Sequence, residues 1–122
     1  MNKLLFYFII ALCSMVTVFG QGNNNSKKSV YKFKEPGNTA CFVCDHVFRK
    51  KRQILYVTHD KDDGSWQFLC GQSDHTDANA KVISLKEATK IDKTINDLYE
   101  LPLGAGAERK SIHDTWIPFT FK

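Results

Sequence analysis

The chain has little of what would identify it at once: no marked excess of one charge, no internal repeat, no second Cys-X-X-Cys pair and no assembled catalytic set. Lys plus Arg number 17 against 13 Asp plus Glu, a formal charge of +4. A nucleic-acid-binding domain normally carries a clustered basic stripe, and so small a balance argues against that partner class. The single basic cluster, Arg49-Lys50-Lys51-Arg52, falls where a turn is expected and reads as a solvated hairpin tip. Asp60, Asp62 and Asp63 resemble the start of a calcium loop, but the closing glutamate is missing. No nucleophile, base and orienting group stand together around His46, His59, His75 or His113, so the reading is non-catalytic.

Long apolar runs are also scarce, and the one present is N-terminal. Lys3 precedes an uncharged, mostly apolar stretch from Leu4 to Gly20, with Val18-Phe19-Gly20 at its end. A basic start, an apolar middle and a small-residue end predict a signal peptide over residues 1–20, cleaved after Gly20. The mature protein is then exported, periplasmic or secreted, with no membrane attachment. It keeps about a hundred residues, the size of one ordinary domain.

Residues 21–38 are rich in Asn, Ser, Lys and Gly and close on Pro36-Gly37, which predicts a flexible linker; Tyr31 and Phe33 within it alternate with lysines. The folded domain is placed at 39–122. Cys41–Phe48 and Ile54–His59 are rich in β-branched and aromatic residues, predicting a hairpin, and Trp66–Cys70 supplies a third strand after the turn Asp60–Ser65. Gly71–Ala80 is a polar loop longer than a minimal connection, where binding residues gather; Asp74, His75 and Asp77 are its candidates. A short strand at Lys81–Ile83 leads into a helix from Leu85, capped by Ser84 with Glu87 three residues later. Asp92 offers a second cap, with Ile91, Ile95, Leu98 and Leu101 at helical spacing. An extended segment, Ala105–Lys110, returns to the sheet and leaves Trp116–Phe119 as an apolar tail. The fold class expected is α+β: an antiparallel β-meander with one or two helices packed on one face.

Cleavage removes Cys13 and leaves Cys41, Cys44 and Cys70, an odd number for an oxidising compartment. Three thiolates with the imidazole of His75, or of His46 close by, make a tetrahedral zinc set, and Cys41-Phe42-Val43-Cys44 has knuckle spacing. In a straight strand, however, residues three apart point to opposite faces, so the chain must turn there for both to grip one ion. A Cys44–Cys70 disulfide between neighbouring strands is the competing use, and buried cysteines acting as small hydrophobes the plainest one.

Three stretches carry a resemblance: Asp63-Gly64-Ser65-Trp66-Gln67-Phe68-Leu69-Cys70-Gly71, the helix Ile91–Leu98, and Leu101-Pro102-Leu103-Gly104-Ala105-Gly106-Ala107-Glu108-Arg109. Over residues 41–110 the chain resembles a family of small bacterial α+β domains, some of them immunity proteins of polymorphic toxin systems. The resemblance implies a non-catalytic protein–protein interaction and assigns no catalytic residue. The function expected is thus an exported binding domain with a protein partner; the alternative is a structural-zinc or thiol-redox protein using Cys41, Cys44 and Cys70.

Overall fold

The computed structural model describes residues 30–74 and 79–121. The predicted signal peptide, the linker up to residue 29, and His75 and Asp77 lie outside the described residues. In chain order the elements are β1 (Ala40–Val43), α1 (Asp45–Phe48), β2 (Tyr56–His59), β3 (Trp66–Leu69), β4 (Lys81–Ser84), α2 (Leu85–Ile91), a 3-10 helix (Lys93–Leu98), β5 (Ala105–Glu108) and β6 (Ile117–Thr120).

The β2–β3 hairpin forms where local chemistry calls for it. Asp60 and Asp63 accept the backbone N–H groups of Asp62 and Ser65, two side-chain-closed turns, and Gly64 adopts the positive φ that the reversal needs. Tyr56 then faces Leu69 and His59 faces Trp66. The capping box is equally local: the Glu87 N–H donates to Ser84 Oγ at 3.1 Å, and Asp92 accepts from Thr94 at 2.9 Å to start the 3-10 helix.

The antiparallel meander is corrected. Among the described residues, six strands lie in the order β4-β1-β3-β2-β5-β6, and β1 runs parallel to β3 while the other pairs are antiparallel, so the sheet is mixed. The predicted first hairpin fails because its first strand stops at Val43. Cys44 leaves β1 in an extended conformation, and Asp45–Phe48 wind into one helical turn. A tight hairpin needs a short loop; the longer path from Cys44 to Leu55 lets β2 pass one position, and β3 fills the gap. The expected apolar tail is β6, paired with β5.

Alternation along the strands puts Cys41, Val43, Val57, His59, Trp66, Phe68, Ile83, Ala105 and Ala107 on one face, all buried. Leu85 and Ala88 of α2 and Ile95 and Leu98 of the 3-10 helix join them in the core. Phe33 belongs there too, although the sequence places it in a linker. It is buried, with its ring edge-on to Trp66 at 5.0 Å, so the folded unit begins before residue 39. His59, read from sequence as a surface residue, stacks on Trp66 at 3.9 Å and lies 2.7 Å from the Leu101 carbonyl through Nδ1, which therefore carries a proton. Behind β2, the buried Arg109 guanidinium donates to Asp92 at 2.6 Å, to the Ile54 carbonyl and to Thr94 Oγ1, with the Trp116 ring 4.0 Å away.

The outer face is different. Phe42, Tyr56, Gln67 and Phe119 stay half-exposed there, and Val82 and Ile117 are 62% exposed. Gly106 makes one feature of this face possible. A Cβ at that position would sit 2.5 Å from the Phe119 ring and 2.8 Å from the Val57 carbonyl, so glycine alone lets the ring cross β5 and reach Tyr56, 5.4 Å between centroids.

Candidate functional site

Two places combine chemistry with access. The first lies where β1 and β3 end side by side. Their parallel register sets Val43 opposite Phe68, so Cys44, one residue past β1, and Cys70, one past β3, emerge at the same end of the sheet. The turn of α1 brings the ring of His46 back over them, and the ligand atoms of Cys44, His46 and Cys70 all lie within 4.8 Å of one another. Cys44 and Cys70 are buried, at 4% and 1% exposure, and His46 is half-buried.

The electrostatics at this end are mixed. Burial pushes the Cys44 thiol pKa up, while the backbone N–H groups of Val47 and Cys70 donate to its sulfur and pull the other way. Arg52 is 3.7 Å from the Cys70 sulfur and 3.4 Å from His46 Nδ1, and it grips Asp74 through two bonds of 2.6 and 2.7 Å. That hydrogen-bonded guanidinium holds the Asp74 carboxyl down at about 2. The basic cluster read as a hairpin tip thus follows a helical turn: Arg49 pairs with Asp45, and Arg52 roofs the sulfur site.

Of the sequence candidates, the structure joins Cys44 and Cys70, places Asp74 above them through Arg52, and separates Cys41. Cys41 sits on the core face of β1 opposite Ile83, and burial, with the charge of Glu87, pushes its thiol up to about 12. The knuckle spacing of Cys41 and Cys44 therefore does not bring the two sulfurs into one cluster, for the period-two reason. His46 takes the third place instead. Its only sequence signal is its position two residues after Cys44, meaningful once a helical turn is known to start there. The Cys44 and Cys70 sulfurs, proposed to bridge, both belong to this cluster.

The second place is the outer face of the sheet. Tyr56, Thr58, Gln67, Leu69, Gly104 and Phe121 line a groove of about 610 Å³ with Asp60, Lys61 and Asp62 at its rim. The rings of Tyr56, Phe119 and Phe121 follow one another at 5.4 Å, making an aromatic ledge beside it. Sequence reading missed this face because its residues come from β2, β3 and β6 and from the chain just outside β5 and β6, brought together by the long-range pairings of β2 with β5 and β5 with β6.

Against protein families, residues 41–120 match the model described as the immunity protein Imm33 domain. No curated protein and no solved structure matches the chain.

Proposed function

We propose, on the premise that the chain belongs to the immunity protein Imm33 domain family, that it binds a toxin protein and blocks it by occupancy, docking through the outer face of its sheet. The observation that carries the surface assignment is the aromatic ledge of Tyr56, Phe119 and Phe121 beside an open groove. Rigid aromatics on a sheet give a partner large contact area at low cost in side-chain entropy, and such residues dominate binding energy at interfaces. The charged rim of Asp60, Lys61 and Asp62 supplies orientation around that apolar centre. Immunity proteins act by binding, so this reading needs no catalytic residue. The apolar run Leu4–Gly20 supports an exported form that meets its toxin in the periplasm or outside the cell.

The test is binding to candidate toxin domains, measured by calorimetry and by survival of cells expressing each toxin. Changing Tyr56 and Phe121 together to Ala should weaken binding by at least about 30-fold, the loss of an anchor of about 2 kcal/mol, while the melting temperature holds. Unchanged affinity in a folded double variant removes the outer face as the docking surface.

A further inference from the structure

We infer that Cys44, His46 and Cys70 form a binding site for one divalent transition-metal ion of the zinc class, with the fourth tetrahedral position left to water or an outside donor. The site shares no residue with the proposed docking groove and offers buried sulfur where that face offers exposed rings.

Four observations carry it. The first is spacing. The three donor atoms lie within 4.8 Å of one another, and a tetrahedral zinc with Zn–S of about 2.3 Å and Zn–N of about 2.0 Å separates its ligands by about 3.5–3.8 Å. The trio closes onto an ion with movements of about an ångström, which side-chain torsions provide without moving β1 or β3. The second is support. Arg52 lies 3.7 Å from the Cys70 sulfur, the kind of outer donor that orients a metal-bound thiolate. The third is charge. Two thiolates offset a divalent ion, each thiol giving its proton to solvent as its sulfur binds, and the Arg52–Asp74 pair beside them is itself neutral. With the ion bound, Arg52 keeps its contacts to the Cys70 sulfur and to Asp74 as an outer-shell donor. The fourth is ligand type: soft sulfur with imidazole selects zinc and its neighbours over magnesium or calcium.

The competing use of these sulfurs is a Cys44–Cys70 disulfide. It does not explain the imidazole drawn into the cluster. What the ion does is mechanical: it ties α1 and the end of β1 to the start of the loop that follows Cys70.

The full chain, reduced with a phosphine and desalted without oxygen, is titrated with cobalt(II) and then with zinc(II) against a chelating dye, with native mass spectrometry for stoichiometry. One ion per chain and a thiolate-to-cobalt charge-transfer band are expected from the unaltered protein. Cys44→Ser and Cys70→Ser should each lower zinc affinity by at least about 100-fold and His46→Gln by about 10- to 100-fold, while Cys41→Ser leaves it within a few-fold. Because the first measurement needs no variant, a misfolded mutant does not blunt the test. No binding at micromolar metal by the reduced protein overturns the proposal. So does binding that survives loss of both Cys44 and Cys70, or an equal loss in Cys41→Ser. Recovery of a Cys44–Cys70 disulfide from protein purified without reductant, with no metal uptake after reduction, overturns it in favour of a redox pair.

Discussion

Arg109 with Asp92 and Arg52 with Asp74 make the same 2.6 Å contact in opposite surroundings. Arg109 is 1% exposed in its side chain and spends its donors on Asp92, Thr94 and the Ile54 carbonyl under the Trp116 ring. Arg52 and Asp74 are 34% and 57% exposed, and Arg52 also reaches the Cys70 sulfur and the His46 ring. Geometry alone therefore says nothing about worth. A buried pair is costly to break because the survivor is left charged without solvent, whereas an exposed pair exchanges its partner for water.

The sharpest break of this comparison is Arg109→Ala. It strands the Asp92 carboxylate and opens the junction of β5, the 3-10 helix and the chain before β2, at a cost of about 3–5 kcal/mol. Urea unfolding measures it, and a loss below about 1 kcal/mol would put the two pairs in one class. Replacing both partners, Arg109→Met with Asp92→Leu, should recover at least about 2 kcal/mol of that loss, because no charge is left unpaired, although the Asp92 cap goes too. A double variant no better than the single one would show that the pair is worth more than its own desolvation. Arg52→Ala, by contrast, should leave the urea midpoint unchanged within error. A clear shift there would mean that Arg52 holds the sulfur cluster together.

The finest test is Asp74 itself. Its pKa in the folded chain is depressed to about 2 by Arg52, below the ordinary carboxylate value of about 3.9. Any small contribution of this exposed, solvent-screened pair is present above pH 4 or so and fades as pH falls toward 2, since the unfolded chain takes up the proton first. An NMR titration of the Asp74 carboxyl should show the low midpoint, and Arg52→Ala should return it to the ordinary range. A midpoint unmoved by that substitution would break the assignment of cause.

What the sequence made legible follows range. Asp60–Ser65, the Ser84–Glu87 box and the Asp92 cap are decided by residues within a few positions, and the structure has each as expected. The place of β1 was not legible, because four residues, Ala40–Val43, choose between partners far along the chain and local pattern is the same for either. Helix α1 spans four residues, too short for a helical period to show, so the sequence offered His46 as a candidate imidazole without the turn that sets it beside Cys44 and Cys70 and away from Cys41. Phe33 was lost to the polarity of its neighbours: one aromatic among lysines reads as linker until Trp66 is known to need a ring against its face.

The insertion of β1 between β3 and β4 has a consequence in time. Strands β3 and β4 are successive in the chain yet never touch; they meet only through a strand that was made before either. Synthesis delivers the N-terminal side first, so β1 waits until Trp66–Leu69 has emerged for one neighbour and until Lys81–Ser84 for the other. Local hairpins close in microseconds, while pairing across long loops waits on their closure entropy. The β2–β3 hairpin is thus expected to close before β1 docks, and the docking of β1 on β3 is the step that brings Cys44 to Cys70. Arrival of those two sulfurs at one another is a clock for the docking of β1 on β3, readable by how fast refolding chains acquire a Cys44–Cys70 cross-link from a short bifunctional thiol reagent.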